Sequence, residues 1–112
     1  MQTNPNINLT MLCDFYELTM ANGYFKSGMQ DKITYFDLFF RKVPDEGGFA
    51  IAAGLEQAVE YIQNLHFGED DIAYLRTRGM FGEDFLAYLK NFRFTGDIWA
   101  VPEGTPIFPK EP

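Results

Sequence analysis

The 112-residue chain reads as an α+β domain with strands flanking a helical block, and three observations carry that reading. Apolar residues recur at helical spacing through the middle of the chain, at Leu55, Ala58, Val59, Ile62 and Leu65 and again at Phe85, Tyr88, Leu89 and Phe92. β-branched and aromatic runs stand before and after that block, at Ile33 to Phe40 and at Asp97 to Val101. The length suits a single domain over residues 1–112, and a chain of this size buries roughly two-thirds of the surface its unfolded form exposes.

The elements follow in order. After a polar lead containing Pro5, the stretch Asp14-Phe15-Tyr16-Glu17 places an N-cap residue three positions before a Glu. An apolar-rich run then extends to Phe25, and Ser27-Gly28 stops it, which predicts a helix over about 14 to 27. Ile33-Thr34-Tyr35-Phe36-Asp37-Leu38-Phe39-Phe40 is β-branched or aromatic on both alternating faces. This predicts a strand covered on both sides and ending at Arg41-Lys42-Val43-Pro44. A turn at Asp45-Glu46-Gly47-Gly48 leads into a short strand, Phe49-Ala50-Ile51. The helix that follows runs from about Gly54 to a stop at Gly68.

Glu69-Asp70-Asp71 suits the positive end of a helix dipole and opens a second helix of the block, which runs toward Gly79. Its third helix takes Phe85, Tyr88, Leu89 and Phe92. Strands are expected at Phe92-Arg93-Phe94, at Asp97 to Val101 and from Thr105 to Phe108, with a turn at Val101-Pro102-Glu103-Gly104. The sequence contains no internal repeat.

Composition narrows the function classes. Nine basic residues against sixteen acidic ones give a net charge of −7, which repels nucleic acid and anionic membrane surfaces. No apolar run reaches the ~20 residues of a membrane span, and Met1 to Asn6 lack the basic-then-apolar order of a signal peptide. The expected localisation is therefore cytoplasmic. A single cysteine, Cys13, excludes an intrachain disulfide, and with one histidine, His66, a zinc site of the usual Cys/His type cannot be built.

The candidate site residues each carry two readings. Inside one helix Asp14 and Tyr16 would point about 200° apart, so they converge only if Asp14 stands at the cap. Either Asp14 caps the helix and Tyr16 packs, or the ring is a stacking platform for a flat ligand with the carboxylate beside it. Arg41 and Lys42, the densest basic pair, stand where a strand leaves the core. Arg41 is able to fork onto a phosphate and Lys42 to add a point charge, while the plain alternative is a solvated strand end. Gly47-Gly48 reads as a turn. Asp37, in an apolar strand, calls for a structural hydrogen bond or a polar cavity. His66 reads as a helix-end cap, Arg76, Arg78 and Arg93 as surface, and Trp99 as core or interface. Acid-base, nucleophile and metal inventories are otherwise nearly empty.

Three segments carry a family resemblance. Leu12-Cys13-Asp14-Phe15-Tyr16-Glu17-Leu18-Thr19-Met20-Ala21 resembles the opening motif of nicotinate phosphoribosyltransferases. Phe36 to Pro44, with Gly47-Gly48-Phe49-Ala50-Ile51 and Gly54-Leu55-Glu56, resembles the strand, turn and helix that come next in that family. Gly96 to Gly104 and Phe108 to Pro112 resemble its following β segment.

The resemblance implies a type II phosphoribosyltransferase. Such an enzyme joins nicotinate to phosphoribosyl pyrophosphate, giving nicotinate mononucleotide and pyrophosphate for NAD synthesis. ATP hydrolysis drives the reaction, which gives this transferase a ligase character, and Mg is implied with the ATP. Family members are several times longer. The resemblance thus implies that a barrel domain, with a histidine phosphorylated during turnover, lies outside this chain. No catalytic residue and no metal ligand is then expected in this segment, and the segment alone is expected to be inactive.

In the family's homodimer the N-terminal segment reaches into the partner's active site. Carried over, Tyr16 stacks on the pyridine ring, Asp14 lies beside it, and Arg41 contacts phosphate in the neighbouring subunit. Cys13 departs from the Thr often seen at its place. Two other readings stand beside this one: a stand-alone, non-catalytic interaction module, and an enzyme of the same class acting on another pyridine base.

Overall fold

The structure is a computed structural model and describes residues 7–112. Helix α1 spans Phe15–Lys26, within one residue of the expected bounds. Asp14 occupies the N-cap with extended backbone, φ −72° and ψ 141°, but its carboxylate makes no capping hydrogen bond. At the other end the Gly28 N–H donates to the Phe25 carbonyl at 3.1 Å and the Met29 N–H to the Tyr24 carbonyl at 2.9 Å. Gly28 takes a left-handed φ of 72°, the geometry in which such paired bonds satisfy a helix's last carbonyls and which glycine adopts without a steric penalty.

The helical block forms as the periodicity dictates: α2 over Leu55–Gln63, α3 over Glu69–Thr77 and α4 over Glu83–Lys90. α2 ends five residues before Gly68, because Asn64 takes over its C-cap and turns its side-chain amide back onto the Glu60 carbonyl at 2.9 Å. Gly68 instead becomes the N-cap of α3, where its backbone N–H donates to Asp71 at 2.9 Å. Having no side chain, Gly68 supplies only that half of a capping box.

The core lies where α1, α3 and α4 meet. Leu18, Phe67, Ile72, Leu75, Phe85, Leu86 and Leu89 are buried, with Met11, Ala21, Phe25, Phe81, Tyr88 and Phe92 packed against them. Rings form a continuous path from Phe15 through Phe81, Phe85, Phe25, Tyr88 and Phe92 to Phe67, with centroids 5.0 to 6.5 Å apart. Each such pair adds about 0.5–1.5 kcal/mol beyond the area it buries. Seven rings therefore account for much of what fixes α1 against α4.

Strands are fewer than the sequence led us to expect. β1 (Ala50–Ile51) pairs antiparallel with β2 (Pro106–Ile107), Ala50 opposite Ile107 and Ile51 opposite Pro106. This two-stranded sheet stands before and after the helical block in sequence, so the chain remains α+β. The stretch Ile33 to Phe40 is not a strand: Tyr35 is 94% and Leu38 92% exposed, and neither face is covered. A strand needs a neighbour's N–H and C=O groups. Among the described residues this stretch finds one at its end, where the Lys110 N–H donates to the Phe40 carbonyl at 2.7 Å.

Phe92 to Phe94 and Asp97 to Val101 likewise carry no strand. Asp37 is exposed and has no hydrogen-bond partner among the described residues, so the structural bond expected of it is not made. Trp99 is 95% exposed and lies outside the core. The turn before β2 falls one residue later than expected, closed by the Thr105 N–H on the Pro102 carbonyl at 3.2 Å.

Candidate functional site

The first turn of α1 presents two of the candidate residues. Asp14 stands at the cap, which meets the geometric condition for Asp14 and Tyr16 to converge. Its backbone carbonyl accepts from the Glu17 N–H at 3.1 Å, and among the described residues no hydrogen bond engages the exposed carboxylate. Tyr16 is 60% exposed and stays outside the core that Leu18 enters, because two residues of helix rotate it away from that face. Its carbonyl accepts from the Thr19 hydroxyl at 2.9 Å, so the backbone of this turn is fixed while the ring stands in solvent.

Arg41 follows Phe40 on the unpaired stretch and is exposed, as is Lys42. No hydrogen bond or ion pair joins Arg41 to Asp14 or Tyr16 among the described residues, so the chain presents two separate groups rather than one closed pocket. Gly47 and Gly48 close a turn, with the Gly47 N–H on the Pro44 carbonyl at 3.2 Å. The groove beside the α3–α4 pair, lined by Glu69, Ile72, Arg76, Glu83 and Lys90 among others, is a third feature and includes none of these residues.

Charge around the first turn is acidic. Desolvation, followed by the charges of Glu17 and Asp14, pushes the Cys13 thiol above its ordinary range. Tyr61 of α2 is raised too, by burial first and then by Cys13 and Glu17. The α1 entry therefore disfavours additional negative charge and leaves Cys13 a thiol at neutral pH. Among the described residues no group of three His, Cys, Asp or Glu is gathered into a ligand set.

Several polar contacts have no local signature in the sequence. Asn8 reaches 58 residues along the chain to donate to the His66 carbonyl at 3.0 Å, and its side-chain oxygen accepts from the Thr10 hydroxyl at 2.6 Å. The buried Thr10 hydroxyl in turn accepts from the His66 N–H at 3.0 Å. His66 Nδ1 lies 2.8 Å from the Asn64 carbonyl, so the imidazole does cap the end of α2. Glu103 supplies α2 with a carboxylate from 49 residues away, accepting from the Gly54 N–H at 3.1 Å. Arg76 lies on the surface, as read, and there makes a bidentate pair with Glu83 at 2.7 and 3.0 Å. That hydrogen-bonded pairing holds Glu83 below the usual carboxylate range.

Residues 11–112 match the family described as the nicotinate phosphoribosyltransferase (NAPRTase) N-terminal domain. The chain belongs to this family. It is 46% identical over 102 residues to a nicotinate phosphoribosyltransferase, pncB2, of Mycobacterium tuberculosis (strain ATCC 25618 / H37Rv), an alignment that covers 91% of this chain and 22% of that protein. It is 40% identical over 105 residues to the nicotinate phosphoribosyltransferase of Bacillus subtilis (strain 168), covering 94% of this chain and 21% of the relative. The Homo sapiens nicotinate phosphoribosyltransferase is 38% identical over 65 residues, 58% of this chain and 12% of the relative. The chain thus spans about a fifth of the length of the bacterial relatives it matches. As a nicotinate phosphoribosyltransferase N-terminal domain it has a region that places Asp14, Tyr16 and Arg41 all on the surface. No helix in the described residues is long and apolar enough to cross a membrane.

Proposed function

We propose that these residues act as the N-terminal part of a nicotinate phosphoribosyltransferase that makes nicotinate mononucleotide and pyrophosphate from nicotinate and phosphoribosyl pyrophosphate. The family match over residues 11–112 carries the reading. In this reaction the pyridine nitrogen forms a bond to C1 of the ribose, and the bond to pyrophosphate breaks with its electron pair. ATP hydrolysis drives the overall conversion, in a cytoplasmic homodimer serving NAD synthesis.

In this reading the chain binds and orients, and the chemistry lies in the rest of a longer protein. Tyr16 stacks on the pyridine ring and Asp14 lies beside it. The exposure of the ring and the unengaged carboxylate support both roles. Arg41 forks onto phosphate in the neighbouring subunit, where a planar guanidinium matches phosphate geometry. His66 is engaged at the end of α2 and is not the histidine that carries phosphate. ATP and Mg are assigned to the remainder of the protein.

The test compares the full-length protein with the 112-residue chain. The full-length protein, given nicotinate, phosphoribosyl pyrophosphate and ATP, should release nicotinate mononucleotide, and the chain alone should release none. Turnover by the chain alone would overturn the assignment of chemistry elsewhere. A full-length protein that prefers nicotinamide or quinolinate would replace nicotinate as the base.

A further inference from the structure

We infer that Lys110 is a second cation of the phosphate-contacting group that includes Arg41, together taking the phosphate or pyrophosphate of a phosphorylated sugar. This rests on the phosphate reading of Arg41 given above and extends it to a residue 69 positions further along the chain. Three observations carry it.

The first is placement. The Lys110 N–H donates to the Phe40 carbonyl at 2.7 Å, a bond that brings the two backbones into direct contact. Lys110 therefore stands beside the residue that immediately precedes Arg41 and Lys42, within reach of long side chains. The contact sets Lys110 beside the backbone that leads into Arg41 and Lys42, three of the nine basic residues of a chain with a net charge of −7.

The second is the absence of a competing carboxylate. Asp37, Asp45, Glu46 and Glu111 flank the cluster in sequence, yet among the described residues the ion pair formed is Arg76 with Glu83. Arg41, Lys42 and Lys110 are all exposed. An unneutralised group of this kind attracts a polyvalent anion, with Arg41 supplying a planar fork and Lys110 a point charge.

The third is backbone conformation. Lys110 has φ 64°, in the left-handed region that glycine and asparagine occupy far more readily than lysine. A lysine held there orients a long cationic side chain at a turn where a smaller residue would be relaxed, and strain of this kind concentrates at binding sites.

The experiment is steady-state kinetics on the full-length protein carrying Lys110→Gln, Lys110→Arg, Lys110→Gly or Arg41→Gln. Lys110→Gln should raise the KM for phosphoribosyl pyrophosphate about tenfold and leave the KM for nicotinate unchanged. Lys110→Arg should restore it. Lys110→Gly should relax the backbone and raise the melting temperature, yet lose phosphoribosyl pyrophosphate affinity as Lys110→Gln does, which separates the charge from the fold. An unchanged KM in Lys110→Gln beside a raised KM in Arg41→Gln would overturn the role of Lys110 alone. Unchanged values in both would overturn the phosphate reading of Arg41, and equal losses toward both substrates would make Lys110 a structural residue.

Discussion

Tyr16 stands on the first turn of α1 with its ring in solvent and its backbone fixed, the arrangement a stacking platform requires. In the full-length protein Tyr16→Ala should raise the nicotinate KM about tenfold, the order of a ring-on-ring stack, whereas Tyr16→Phe should change it little. Equal, large losses for both variants would point to the hydroxyl instead. Three residues earlier, Cys13 makes a pH prediction on the chain itself. Desolvation and the charges of Glu17 and Asp14 raise its thiol, so alkylation by a neutral reagent should be slow at neutral pH and accelerate only above the ordinary thiol range. Glu17→Gln should move that rate profile to lower pH, and an unmoved profile would contradict the contribution of Glu17 and leave burial as the cause. The linkage has a definite sign: the folded chain holds the Cys13 and Tyr61 protons more tightly than the unfolded chain does. That contribution to stability is complete below the unfolded pKa values and is lost as pH rises through the folded ones.

At the scale of the element, the α3–α4 pair is held from two sides. Inside, Phe85 is 1% exposed and meets both Phe25 and Phe81. Phe85→Ala should therefore cost about 3–5 kcal/mol in urea unfolding, a large share of what a small domain possesses. Outside, Arg76 and Glu83 are solvent-exposed, and their coupling in a double-mutant cycle should fade as salt is added. α2 is capped from far along the chain by Glu103. Glu103→Gln should weaken its first turn by about 1 kcal/mol or less, seen as faster amide exchange at Gly54 and Leu55 with the core amides unchanged. The helices themselves were legible because periodicity, acidic first turns and glycine stops are all local. Strands were legible only where a partner existed. Ala50 and Ile51 found Pro106 and Ile107, whereas the more strand-like Ile33 to Phe40 found, among the described residues, only the Lys110 N–H at its last residue.

Over the whole molecule, the radius of gyration is 16.9 Å, against about 13 Å for a compact chain of roughly this length. The excess follows from one small aromatic core and a long apolar stretch that stays outside it. Ile33, Tyr35, Phe36 and Leu38 are all at least 85% exposed, on both alternating faces. The isolated chain should consequently self-associate, and Tyr35→Lys with Leu38→Lys should reduce its sedimentation-measured mass without lowering its helical circular dichroism. Undiminished association would place the sticky surface elsewhere, at Trp99 or Phe49. The candidate site shows the same division between local and distant. The residue patterns located Asp14, Tyr16 and Arg41 and left each with two readings, and the resemblance to a family assigned their roles.

The sequence by itself determined the α+β class, the four helices and the nicotinate phosphoribosyltransferase resemblance, because periodicity, capping residues and motif order are properties of neighbours in the chain. Only the tertiary structure decided that Asp37 and Trp99 stay in solvent, that Glu103 caps α2, and that the Lys110 backbone bonds to Phe40. Those outcomes depend on which distant backbone groups meet, and residue spacing carries no record of that.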